Sequence, residues 1–172
     1  MNITKSGKRH LGAVVGHVDD KEEFLKNLVE KWIHQIEKLS EIAMYEPQAA
    51  YTAFTTSIRH KYTFYIRTIP EIKHLLQPLE NAIRLKFIPA LTDGRMCNDN
   101  ERDLLSLPPR LGGSGIINLV KICEIEYEFS KEATQILTSA IIKQHRELPP
   151  NFQDVAKKAK TDIRCRRRQK QK

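Results

Sequence analysis

Two adjacent aspartates near the start of the chain, in His17-Val18-Asp19-Asp20, are the residues whose spacing first suggests metal chemistry. A two-metal polymerase site holds its ions on such a pair, placed on a tight hairpin between apolar strands, together with a third carboxylate. Here the pair is followed by Lys21-Glu22-Glu23-Phe24, and Asp19 is the first acidic residue of the chain. Acidic residues at a helix N-terminus interact favourably with the backbone dipole and the free N–H groups. The sequence therefore predicts a helix start rather than a catalytic pair.

The remaining residues that could do chemistry show no catalytic or metal-binding spacing. The six histidines and three cysteines lack the spacing of a zinc site, and no Cys-x-x-Cys occurs. The glycines of 111–115 are not followed by Gly-Lys-Ser/Thr, so they predict a chain reversal and not a phosphate loop. Three widely separated cysteines fit a reducing compartment, and we expect an intracellular protein, nuclear or cytoplasmic.

The positive charge of the chain is concentrated at its C-terminal end. Residues 157–172 carry nine Lys or Arg and one acid, whereas residues 1–156 carry 20 basic and 20 acidic groups. We therefore expect any attraction of nucleic acid by net positive charge to act first at this end of the chain. No apolar run approaches the roughly 20 residues that span a bilayer, so we expect no membrane partner.

The elements that must position these groups are mainly helices. Apolar residues at spacings of three and four, with Asn, Pro and Gly at the breaks, predict six helices over 20–43, 47–68, 70–87, 98–105, 118–144 and 151–163. The last of these is expected to fray after Ile163. Residues 2–16 predict a β-hairpin with its turn at Ser6-Gly7 and a strand over His10–Val15.

One predicted helix combines basic and aromatic side chains. Arg59, His60, Lys61 and Arg67 alternate with Tyr62, Phe64 and Tyr65, a combination that can line a nucleic-acid channel. Aromatic residues at these spacings are more often core, with the basic side chains extending to solvent. We therefore expect Tyr62 and Phe64 in the core, and Arg59 and Arg67 facing one strand of a duplex.

Longer blocks of the sequence resemble a known family. They follow the segment GKRHLGAVVG (7–16) in a fixed order and are Arg67–Pro70, Leu75–Glu80, Phe87–Gly94 and Leu107–Ile116. This order resembles the region immediately downstream of the palm in reverse-transcriptase polyproteins of animal mobile elements, and the resemblance covers nearly the whole chain. Two positions depart from it: Tyr62 stands where similar sequences usually have Trp, and Ser114 where they have Leu.

The resemblance implies a mainly α fold. It would be a thumb-like helical bundle with a short N-terminal β-hairpin and a basic C-terminal helix or tail. The expected parts are a palm-edge hairpin (1–17), a thumb and connection domain (18–147) and a basic tail or linker (148–172). The catalytic aspartates of such proteins lie upstream, so we expect a fragment without polymerase activity. It would hold no cofactor, because magnesium would belong to the missing palm.

The implied partners are an RNA–DNA or DNA duplex, held weakly through its phosphates, and the remainder of the polymerase. The candidate phosphate contacts are Lys8, Arg9, His10, Arg59, Lys61, Arg67, Arg110, Arg164, Arg166, Arg167 and Arg168. Two clusters among these residues have alternative interpretations. The cluster at 8–10 could be an exposed basic turn, and the one at 164–170 could be a nuclear-import signal or a solvated linker helix.

A second hypothesis belongs to a different class. The chain could be a stand-alone helical interaction module with a basic tail, or a non-functional remnant of an element. The neutral charge of residues 1–156 favours it if the chain acts alone.

Overall fold

A computed structural model describes residues 8–10, 13–144 and 152–170, and it confirms a mainly helical fold. The first helix, α1 (Val18–Ala43), packs on a helix that begins as α2 (Pro47–Ala53), passes through a π-helical turn (Phe54–Ile58) and ends as α3 (Arg59–Thr68). Both helices lie close to their predicted bounds.

The next segment begins later than predicted. Helix α4 (Lys73–Ala82) starts three residues after Pro70, because Glu71 adopts the left-handed conformation (φ 59°), which no helix can contain. The chain continues through a second π-helical turn (Ile83–Phe87) into the short α5 (Ile88–Leu91). Helix α4 packs on α1, and it buries the predicted apolar face of this segment, which consists of Ile72, Leu75, Leu76, Leu79 and Ile83.

The capping prediction for the fourth helix is confirmed. Helix α6 (Asp99–Ser106) begins with Asn98 Oδ1 accepting from the Glu101 amide at 2.9 Å, while the Asn98 amide donates to Glu101 Oε2 at 3.1 Å. A 3₁₀ turn (Pro109–Leu111) and an extended stretch then lead to α7 (Leu119–Ile142).

The last helix, α8 (Phe152–Lys170), continues past Ile163, where the sequence predicted that it would fray. It packs on α7, where Ile163 and Phe129 are both buried. Arg166 lies over the Phe129 ring at 5.5 Å and contacts Glu132 at 2.5 Å. The apolar and cation–π contacts anchor a helix that its charge alone would leave in solvent.

A short antiparallel pair precedes the helices. Strand β1 (Lys8–His10) pairs with β2 (Ala13–Val15), with His10 opposite Ala13. His10 and Ala13 therefore lie on different strands, so the predicted single strand over His10–Val15 is wrong, whereas the predicted turn at Ser6-Gly7 lies outside the described residues. Glycines at 7 and 12 give equal turn signals, and the periodicity of so few residues does not distinguish them. Residues 1–7, 11 and 12 lie outside the described part.

The core lies between α1, α3, α4 and the first half of α7. Trp32 packs edge-on against Tyr62 at 5.5 Å, and Phe54 stacks on Phe87 at 4.8 Å. Tyr62 lies in the core as predicted. The prediction of a core position for Phe64 is wrong, since this side chain is 43% exposed. Among the described helices, none combines the length and the apolar character needed to cross a membrane.

Candidate nucleic-acid interface

Helix α3 forms one wall of a groove. Tyr62 and Ile66 lie on its buried face. Arg59, Thr63 and Arg67 recur every four residues on the adjacent face, so all three side chains follow one line along the helix. The π-helical turn directly before Arg59 shifts the helical phase at this point.

The opposite wall is the chain reversal before α7. A Cβ on Gly113 would lie 2.1 Å from the carbonyl oxygen of Leu107, so this position has no room for a side chain. Gly115 has φ +69°, and its amide donates to the Leu107 carbonyl at 2.8 Å. Ser114 donates its hydroxyl to the Leu105 carbonyl at 2.9 Å, while its own carbonyl accepts from Tyr51 Oη at 2.5 Å. These contacts explain the glycines as packing requirements of a reversal.

A buried ion pair fixes this wall to the core. Arg102 on α6 donates from Nε and Nη2 to the two carboxylate oxygens of Glu80 on α4, at 2.6 and 2.9 Å. The same guanidinium donates to the carbonyls of Ile116 at 2.7 Å and Ile117 at 3.1 Å. The side chains are 2% and 6% exposed. Arg102 therefore links two helices to the strand-like approach to α7, and it joins the Leu75–Glu80 and Leu107–Ile116 blocks physically.

The groove between these walls has a volume of about 570 Å³. It is lined by residues of α3, of the reversal and of the first turns of α7, and its charged members are Arg59, Arg67, Lys121 and Glu126, with His60 beside them. Lys121 is paired with Asp103 and Arg67 with Glu126, so Arg59 gives the groove its net positive charge, although residues 1–156 as a whole are neutral.

The cations of the groove differ in how far they are already paired. Arg67 Nε donates to Glu126 Oε2 at 2.8 Å, and Lys121 Nζ contacts both carboxylate oxygens of Asp103 at 2.5 and 2.7 Å. Arg59 makes one long hydrogen bond, from Nη1 to the Gly115 carbonyl at 3.4 Å, and no ion pair with any described residue. Its guanidinium thus keeps donors for a ligand while it is held at the groove wall.

The other predicted contacts lie away from this groove or outside the described side chains. Lys61 Nζ donates to Gln35 on α1 at 3.0 Å, and Arg110 is exposed on the 3₁₀ turn without lining the groove. The side chains of Lys8, Arg9 and His10 lie outside the described residues, as do those of Arg167 and Arg168. The structure therefore brings together Arg59 and Arg67 of the predicted set.

Helix α8 presents a second basic surface. Arg164 is exposed there, as are Lys157 and Lys158. Arg166 is engaged with Glu132, whose hydrogen bond raises the pKa of this guanidinium. The described part of α8 thus carries exposed positive charges, while Arg166 fixes the helix to α7.

The aspartate pair lies in the first turn of α1, as the helix-start prediction requires. Asp20 Oδ2 accepts from the amide of His17 at 3.2 Å. Within the described ranges, no three His, Cys, Asp or Glu side chains converge on a possible metal position.

Sequence reasoning missed Arg102, Lys121 and Glu126. Arg102 has a weak signal, because it takes the inward position of a short helix where an apolar residue would be expected. Lys121 and Glu126 carry no sequence signal, since only the docking of α7 on α3 brings them into the groove, where Glu126 meets Arg67. No family model, curated protein or solved structure matches this chain.

Proposed function

We propose that this chain is a non-catalytic, nucleic-acid-binding part of a mobile-element reverse transcriptase. The single observation that carries the proposal is the electropositive groove, which places Arg59 and Arg67 of α3 against the glycine-rich reversal. The reversal belongs to the Leu107–Ile116 block on which the resemblance rests, and the α3 wall ends at Arg67, where the Arg67–Pro70 block begins. In this proposal the folded bundle is the thumb and connection, and the β1–β2 pair is the edge of the palm.

Binding would use the phosphate backbone. Arginine offers several N–H donors in a planar fork that suits phosphate oxygens. Arg59 uses one N–H donor in its bond to the Gly115 carbonyl and keeps others for phosphate. Arg67 would bind phosphate when the phosphate competes with Glu126 for its guanidinium. Phosphate contacts carry no sequence information, so affinity would depend on salt and little on sequence.

The test is fluorescence anisotropy with an RNA–DNA hybrid across a salt series. Arg59→Gln removes one phosphate contact, so the log–log salt dependence should become less steep by about 1. Lys38→Gln is the matched control, because Lys38 is an exposed cation of α1 with no ion pair to a described residue. Equal slopes for the two variants would refute the groove as the phosphate site.

A variant that should strengthen binding provides a second test. Glu126→Gln keeps the side-chain shape but removes the carboxylate that neutralises Arg67. We expect this variant to bind the hybrid more tightly and with a steeper salt dependence. Weaker binding would show that the Arg67–Glu126 pair is needed as it stands and that Arg67 contacts no phosphate.

The basic helix is tested separately. Lys157→Gln, Lys158→Gln and Arg164→Gln together neutralise exposed charges of α8 and leave Arg166 and Ile163 in place. If this triple variant loses all binding while Arg59→Gln changes nothing, α8 is the binding element. The folded bundle would then be a scaffold, and the alternative of a helical interaction module, favoured by its neutral charge, would stand.

A further inference from the structure

The end of α7 carries an apolar surface that the described residues leave exposed. The first half of α7 packs on α3 and α4, and its second half is met by α8. Ile141 and Ile142 in its last turn are 74% and 75% exposed, and Lys143 follows them. Adjacent helical residues point about 100° apart, so a single neighbouring helix cannot cover both isoleucines. We call Ile141, Ile142 and Lys143 the arm tip.

A cavity of about 870 Å³ lies where α1 ends and α2 begins, against α5. Its walls are largely apolar, and they include Met44, Pro47, Pro89 and Leu91. Met44 is itself 64% exposed, so apolar surface continues to the mouth. We call this feature the end cavity.

The charge of the end cavity is negative. Lys86 is paired with Glu37 at 2.6 Å, and this pair lowers the pKa of the Glu37 carboxyl. Glu41 and Asp93 also line the cavity, and neither forms an ion pair within the described part of the chain. An occupant that combines an apolar body with a cation would match these walls.

We propose that the arm tip of one copy of this chain docks in the end cavity of a second copy. Ile141 and Ile142 would cover the apolar walls, and Lys143 would meet Glu41 and Asp93. Tip-to-tip association is disfavoured, because it would bring two basic α8 helices together. The contact joins different surfaces of the two copies, so it closes as a symmetric pair where each tip enters the other copy's cavity, and it otherwise builds rings or open chains.

Sedimentation velocity of the full chain, freed of nucleic acid, tests this assignment from low micromolar to several hundred micromolar protein. The tip variant Ile141→Glu/Ile142→Glu and the cavity variant Glu41→Lys/Met44→Lys change only exposed side chains. Each should weaken self-association at least tenfold. Val18→Glu is the control, since Val18 is an exposed apolar residue at the other end of the first helix, and it should associate as the wild type does.

Mixing the two variants is decisive. The tip variant retains an intact cavity and the cavity variant an intact tip, so the mixture should form one-to-one heterodimers that grow no further. Wild-type protein that remains monomeric throughout, or a mixture that contains only monomers, would overturn the proposal. So would association that survives in either variant or is lost equally in Val18→Glu.

Discussion

Replacing Arg102 by Met should destabilise the bundle far more than any exposed charge substitution. The change removes a side chain with four hydrogen bonds and leaves the Glu80 carboxylate, 6% exposed, without its counter-ion. Breaking a buried ion pair by removing one partner costs about 3–5 kcal/mol. A domain of this kind has a total stability of about 5–15 kcal/mol, so the loss is a large share of it.

The matched control is Lys86→Met, which breaks the exposed pair with Glu37. Exposed pairs contribute about 0–1 kcal/mol, so the two variants should differ by several kcal/mol. The double variant Glu80→Met/Arg102→Met should recover part of the loss, because no buried charge remains. Recovery is incomplete, since the Ile116 and Ile117 carbonyls still lack their donor.

Urea unfolding followed by fluorescence provides the assay. The single tryptophan, Trp32, is buried against Tyr62 and reports on the core. Arg102→Met should also weaken binding to an RNA–DNA hybrid in the absence of urea, because the groove wall at 116–117 loses its anchor. If Arg102→Met lowers the free energy of unfolding by less than about 1 kcal/mol, as Lys86→Met is expected to do, the prediction is refuted.

Three further predictions concern single positions. Tyr62→Phe should raise the free energy of unfolding by about 1 kcal/mol, since the buried hydroxyl has no hydrogen-bond partner among the described residues and burial raises its pKa; a lower free energy of unfolding in urea would show that the hydroxyl is satisfied. Gly113→Ala should cost about 1–3 kcal/mol or more through its clash with the Leu107 carbonyl, whereas Gly112→Ala meets no atom and bears only the strain of its positive φ; equal losses in the same assay would contradict this. The Glu37 carboxyl has a folded pKa below its ordinary 4.5, so its stabilisation is present above 4.5 and is lost as the pH falls through the lower folded value; Glu37→Gln should flatten this part of the pH–stability curve, and an unchanged curve would argue against the Lys86 contact.

The helices were predictable because their signals are local. Leu75, Leu76 and Leu79 repeat at helical spacing, and Asn98 with Glu101 marks a helix start by chemistry that acts within one turn. The delayed start of α4 was not predictable, because Glu71 in the left-handed conformation carries no sequence signal. The continuation of α8 beyond Ile163 depends on Phe129, which lies 34 residues earlier.

The candidate site was predictable on one wall only. The spacing of Arg59 and Arg67 places them on one helical face. The opposite wall depends on Arg102, Glu126 and the packing of Gly113, which arise from contacts between segments far apart in sequence. The basic face of α3 could therefore be predicted from the sequence, but Glu126, the carboxylate that pairs with Arg67, could not.

Amide hydrogen exchange of the full chain, with and without an RNA–DNA hybrid, tests the central claim most directly, because it locates binding without any substitution. We expect slower exchange in α3 around Arg59 and in the reversal around Gly115, in addition to any change in α8. Slower exchange confined to α8, with α3 and the reversal unchanged, would contradict it.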